Sequence, residues 1–196
     1  MGKNKFHFFA MLSRMKYINR WALMRNTHVE NISEHSLEVA AIAHALAVIH
    51  NKRFGGSVNA ERAAVIGIYH DAPEIITGDM PTPVKYFSPQ IREAYGQVEE
   101  EACAALLKML PEDLRGEYTP LFFKQEQDEK LWQFVKAADK ICAYTKCIEE
   151  GKAGNSDFNS AAKTNLEAIM AIDMPEVRVF MDEFIDSYAM TIDELK

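Results

Sequence analysis

Apolar residues recur at helical spacing along almost the whole chain, and no run alternates apolar with polar residues as a half-buried strand requires. That pattern confines the chain to helices packed on helices. Proline and glycine set the breaks. The spacing predicts helices over residues 5–18, 33–51, 60–70, 89–109, 128–150, 156–172 and 175–187. Ser33, Asn59 and Ser88 are the expected N-caps, with Pro89 at a first helical position. Residues 19–32 are expected to be irregular. So are residues 76–84, where Gly78, Pro81 and Pro83 crowd together. Pro111 should open a short segment and Pro120 interrupt it. At 196 residues, with no linker or repeat, the expectation is one all-α domain over residues 1–196.

Charge and cysteine content narrow the function classes. The formal net charge is -7, against a nucleic-acid binder that works by a broad basic face, because neutralising phosphates needs clustered Lys and Arg. A small phosphorylated substrate needs only one or two local cations and stays open. Cys103, Cys142 and Cys147 are odd in number and form no CxxC, which fits free thiols in a reducing compartment. No run reaches the ~20 apolar residues of a membrane span, so neither membrane nor nucleic acid polymer is expected as a partner. The expected location is the cytoplasm.

His35, the adjacent pair His70-Asp71, and Asp139 carry the chemistry. His35 shares a helical face with Val39, Ile42 and Leu46, and a second stripe is drawn through Leu37, Ala40, Ala41, His44, Ala45 and Val48. His70 follows Ile66 by four residues, and Asp139 follows Val135 by four. A carboxylate on an apolar stripe costs several kcal/mol unless something compensates it. A divalent cation does so most strongly. Two imidazoles and two carboxylates suit Mn, Fe, Co or Zn. Taken singly, an inward His or Asp is more often a hydrogen-bonded core group; the set, ending in a proline-broken loop, favours the ion. Glu74 and Asp79 lie close by in sequence, where a carboxylate can steer or deprotonate a water, or protonate a leaving group. His44 lies nine residues beyond His35, about 13 Å along a helix axis, too far to share the ion. His7, His28, His44 and His50 are read as structural or surface residues.

The spaced His35, His70-Asp71 and Asp139 match the H…HD…D pattern of the HD-domain metal-dependent phosphohydrolases. Within that superfamily the chain resembles the bacterial HD-domain 5′-deoxynucleotidases. The resemblance is carried by Leu12-Ser-Arg-Met-Lys-Tyr-Ile-Asn-Arg-Trp-Ala-Leu-Met-Arg-Asn26 and Glu30-Asn-Ile-Ser-Glu-His-Ser-Leu-Glu-Val-Ala40. It continues through Tyr69-His-Asp-Ala-Pro-Glu-Ile-Ile-Thr-Gly-Asp-Met-Pro-Thr-Pro-Val-Lys-Tyr-Phe87 and Lys136-Ala-Ala-Asp-Lys-Ile-Cys-Ala-Tyr144.

This resemblance implies an HD-type helical bundle that hydrolyses deoxyribonucleoside 5′-monophosphates by attack of a metal-activated water and largely spares ribonucleotides. It implies one divalent ion held by His35, His70, Asp71 and Asp139, with His35 and Asp71 also facing the substrate. By the same resemblance Glu74 is a catalytic acid, with Asp79 a second candidate. Arg20 orients the phosphate, Trp21 walls the sugar, and Asp79-Met80-Pro81-Thr82 is a substrate loop. Pro73 stands where the family pattern has a small polar residue such as Ser. A homodimer is expected from the family. Two alternatives remain open: an HD phosphohydrolase of nucleoside triphosphates or alarmones, which needs more cations, and a nucleotide-binding module without catalysis.

Overall fold

The computed structural model describes residues 5–196, so the first four residues of the expected 1–196 unit lie outside it. Among the described residues the regular structure is helical, and extended pairing is confined to one antiparallel bridge, Asn19 to Asn31. The all-α expectation holds. Its first helix is shorter than the expected 5–18: α1 spans Phe8–Leu12, and a tighter 3-10 turn runs over Ser13–Tyr17. The Ser13 hydroxyl donates to the Ala10 carbonyl, a local bond that competes with continued α-helix.

Helix α2, Ile32–Arg53, is capped by Asn31 and not by Ser33. The Asn31 side chain accepts from the N–H groups of Ser33 and Glu34, and Glu34 reaches back to the Asn31 N–H. This reciprocal box satisfies donors that a Ser33 start would leave open. The helix buries His35, Val39, Ile42 and Leu46 as expected. The second stripe fails, however: Leu37 is 68% exposed and Val48 36%. The cause is alanine, which makes both faces of α2 apolar, so the larger side chains decide which face enters the core. By length and composition α2 could also cross a membrane, contrary to the expectation of no such run; 56% of its apolar window is buried inside this fold.

Helices α3 (Ala60–Tyr69) and α4 (Glu74–Thr77) follow, then α5 (Thr82–Lys85) and α6 (Pro89–Lys108). The stretch expected to be irregular thus keeps two short helices, and only Gly78 to Pro81 lies between them. Gly78, at φ 74°, makes the turn. Helix α7, Glu112–Phe122, runs through Pro120 where an interruption was expected. Pro120 falls in its last turn, where little helix remains to break. Helices α8 (Glu129–Lys152), α9 (Asn159–Met170) and α10 (Pro175–Phe184) complete the chain.

Helices α2, α3 and α8 pack around one apolar cluster. A Cβ on Gly67 would lie 2.8 Å from the Ala40 Cα, so the α2–α3 crossing depends on glycine. A second cluster of Phe8, Met15, Ile32, Ala72, Leu106, Leu107 and Leu110 fastens the N-terminal segment and α6 to the junction between α3 and α4. The predicted site lies among these elements.

Candidate active site

His35 sits in the early turns of α2, fully buried. His70 caps the C-terminus of α3, and Asp71 follows it. Asp139 lies on α8. Oδ2 of Asp71 is 3.1 Å from Nε2 of His70 and 3.4 Å from Nε2 of His35. Ligand atoms of His35, His70 and Asp71 all lie within 4.8 Å of one another. Asp139 joins through its Oδ1, 3.1 Å from His35 Nε2, and not as a member of that tighter group.

These donors fit a divalent ion. His70 Nδ1 lies 2.7 Å from the Gly67 carbonyl, which can only accept, so the proton is on Nδ1 and the Nε2 lone pair is free. Nε2 of both His35 and His70 is buried without a well-directed hydrogen bond. Two neighbouring imidazole nitrogens with a carboxylate beside them form a mixed N/O donor set. Burial and the Arg20 charge oppose protonation of His35, yet Asp139 and Asp71 outweigh them and push it up to about 9. Burial opposes ionisation of Asp71, but His70 and His35 hold it well below the usual carboxylate range.

The segment over residues 19–32 has no helical period, and the sequence alone leaves its path open. Backbone pairing sets that path. The Arg20 N–H donates to the Glu30 carbonyl, and the Ile32 N–H to the Ile18 carbonyl, both at 2.9 Å. Arg20 is thereby placed with Nη1 2.8 Å from His35 Nδ1 and Nη2 3.9 Å from Asp139 Oδ1. Trp21 takes φ 59°, a left-handed conformation costing a bulky residue about 1–2 kcal/mol. Its surroundings hold it there. The Trp21 N–H donates to Asp79 Oδ2, its carbonyl accepts from Met24 and Asn26, and its ring lies 5.3 Å from Phe158.

Glu74 opens α4, directly after Pro73. The Pro73 carbonyl accepts from the N–H groups of Ile76 and Thr77, so Pro73 starts the turn that carries the acid. Burial, with Asp71 and Asp79 adding repulsion, pushes Glu74 up to about 9, and its Oε2 is buried without a partner. Asp79 is also raised, chiefly by burial. Met80, Pro81 and Thr82 follow Asp79 without a hydrogen bond to the cluster; Asp79 is the loop's bonded link.

Two groups escaped the sequence reading. Glu30 is buried beside Arg20 and Trp21. Glu150 on α8 accepts from Thr27, His28, Lys146 and Asn155, closing the far end of the same segment. Glu30 precedes the first turn of α2 and lies on no helical stripe, whereas Glu150 follows Cys147 by three residues and Cys142 by eight on the buried face of α8. The buried Lys146–Glu150 pair does have the four-residue spacing that marks a helical ion pair.

A model of the 5′-deoxynucleotidase YfbR-like family matches residues 7–188. The chain belongs to this family. It is 52% identical over 190 residues to 5′-deoxynucleotidase YfbR of Shigella dysenteriae, covering 96% of this chain and 95% of that protein. The YfbR protein of an Escherichia coli strain matches to the same extent. Among solved structures, an HD-domain phosphohydrolase from Listeria innocua superposes with a TM-score of 0.80 at 24% identity, covering 93% of this chain and 88% of that one. The cyanophage HD phosphohydrolase DatZ, solved with dA and one catalytic zinc ion, superposes with a TM-score of 0.66 at 18% identity, covering 91% of this chain and 96% of that one. These two likenesses show the HD fold. Placement in the YfbR-like family rests on the family model and on the 52% relatives.

Proposed function

We propose that the protein is a metal-dependent 5′-nucleotidase that hydrolyses deoxyribonucleoside 5′-monophosphates to deoxyribonucleoside and phosphate. The observation that carries this is the convergence of His35, His70 and Asp71 beside Arg20, in a chain 52% identical to 5′-deoxynucleotidases over nearly their whole length. His35, His70, Asp71 and Asp139 hold one divalent ion, of the Co, Mn, Zn or Fe kind. A bound ion supplies a water-derived nucleophile at neutral pH and neutralises phosphate oxygens.

The remaining steps belong to the chain. Arg20 receives the phosphate on its planar fork and orients it for displacement in line with the leaving oxygen. Glu74, which burial and the Asp71 and Asp79 charges push towards its neutral form, is placed to deliver a proton to the departing 5′-oxygen of the sugar. The Trp21 ring stands beside the sugar and leaves no room for a 2′-hydroxyl. Asp79 fixes the Trp21 backbone, and Met80, Pro81 and Thr82 complete the substrate loop. A single phosphate fits the available charge. Arg25 is paired with Asp157 and Lys85 with Glu99, so of these three cations Arg20 is the one facing the cluster.

Three buried free thiols support a reducing cytoplasm as the working compartment, and we expect one domain, paired as a homodimer. Phosphate release from dAMP, AMP and dATP, each with and without added Co²⁺ or Mn²⁺, tests the reading. Metal-dependent release from dAMP that exceeds release from AMP and dATP is expected. No metal-dependent release from dAMP overturns it.

A further inference from the structure

We propose that Glu30 is a positioning residue that holds three parts of the site in register: the phosphate-orienting Arg20, the sugar-facing Trp21 and the metal ligand His35. The inference rests on the functional reading above and adds to it a residue with no contact to substrate. Glu30 is 7% exposed and lies two residues before α2. One carboxylate oxygen, Oε2, accepts from Arg20 Nη1 at 3.0 Å and from the Trp21 indole Nε1 at 3.1 Å. The other, Oε1, faces His35 Nδ1 at 3.7 Å.

A carboxylate that only balanced the Arg20 charge would need one of these contacts. The other two have separate consequences. The indole N–H is the polar handle that fixes the ring's rotation, and Trp21 already carries a strained backbone. With the bond to Glu30 the ring becomes a fixed wall. Without it the ring can swing and admit a 2′-hydroxyl, and discrimination by exclusion is lost. At His35 Glu30 acts through its charge. Arg20 Nη1 lies 2.8 Å from Nδ1 and can only donate, and Glu30 Oε1, at 3.7 Å, stands outside hydrogen-bond range. The carboxylate offsets the Arg20 cation beside the ring, so its loss sets an unbalanced positive charge against a divalent ion held by His35. Backbone pairing fixes the arrangement, because the Glu30 carbonyl accepts from the Arg20 N–H.

The test uses E30Q and E30A in a W132F background, where Trp21 is the remaining tryptophan. Three quantities are read: the Trp21 indole N–H resonance, Co²⁺ affinity of the metal-stripped protein by calorimetry, and KM and kcat for dAMP and AMP. In E30A the indole resonance should move and Co²⁺ affinity fall about tenfold or more. The dAMP-to-AMP ratio of kcat/KM should narrow about tenfold, the scale of one hydrogen bond to a charged acceptor. E30Q keeps one acceptor oxygen and should fall between E30A and the parent. If E30A does not fold, E30Q carries the test against its parent. An unmoved indole resonance, or an unchanged Co²⁺ affinity, in the folded variants overturns the proposal. Both readouts need no turnover, so they judge Glu30 even if the parent hydrolyses no dAMP, a result that would overturn the functional reading instead.

Discussion

The Trp21 backbone N–H donates to Oδ2 of Asp79 across 3.2 Å, joining two irregular segments 58 residues apart in sequence. Both segments escape helical periodicity, and both carry the residues that meet the sugar in the proposed reaction. The bond makes them one wall. The indole faces one way while the backbone beneath it is tied to the loop over residues 78–81.

Removing that wall should relax sugar selection. W21A is expected to narrow the dAMP-to-AMP ratio of kcat/KM by about tenfold or more, with dAMP turnover itself changing less. D79A should move the ratio in the same direction by a smaller step, because the strained Trp21 backbone loses one of its holds while the ring stays attached to Glu30. Steady-state kinetics on the two nucleotides measures both. A W21A ratio equal to that of the wild type would leave the indole with a packing role.

Glu74→Gln removes a proton carrier while keeping its volume. Turnover of dAMP should drop by roughly 10²-fold or more, the usual scale of general acid–base help, with KM changed little. The amide keeps the volume of a carboxyl that burial already pushes towards its neutral form, so the fold should tolerate it. A thermal melt alongside the kinetics separates lost chemistry from lost structure. Undiminished turnover would take Glu74 out of the reaction.

The sequence made the ligand set legible because each ligand sits on or next to a periodic helix. His35 shares a face with Val39, Ile42 and Leu46 and is fully buried, while Asp139, one turn beyond Val135, keeps its side chain 44% exposed and meets the cluster through its contact with His35. The same logic misjudged α2 where alanines made two faces equally apolar, and Leu37 and Val48 ended in solvent. It could not reach Glu30, whose position depends on the Asn19–Asn31 bridge, a pairing between irregular residues with no pattern of its own. Arg20 and Trp21 were named through resemblance; their geometry comes from that bridge.

Glu150 gives the segment over residues 19–32 an acid-sensitive anchor. It is 1% exposed. Burial favours its neutral form, but Lys146, Asn155 and Thr27 outweigh burial and hold it far below its ordinary value of 4.5. A carboxyl depressed on folding contributes stability that is fully present above its unfolded value and lost as pH falls towards its folded one. E150A should therefore cost about 3–5 kcal/mol at pH 7, since it leaves Lys146 buried and unpaired. The gap to the wild type should shrink as pH falls below about 4.5. Denaturant melts at pH 7, 5 and 3.5 measure this, and a gap that stays constant with pH would show that ionisation of Glu150 does not anchor the segment.

The α2–α3 crossing couples core packing to the metal ligands. A Cβ at Gly67 would meet the Ala40 Cα at 2.8 Å and its N at 3.0 Å, both backbone atoms that cannot turn aside. G67A must push α3 away from α2, and overpacking of this kind costs about 1–3 kcal/mol. The Gly67 carbonyl is also the acceptor for His70 Nδ1, so the displaced helix takes the orienting group of a ligand with it. G96A and G116A are the controls. Both glycines are helical with nothing within 4 Å of an added Cβ, so alanine there should stabilise by about 0.5–1 kcal/mol. Thermal melts paired with calorimetric Co²⁺ titration should show G67A losing both stability and metal affinity, and the controls losing neither. If G67A melts lower but binds Co²⁺ as tightly as the wild type, the crossing supports the fold without setting the position of His70.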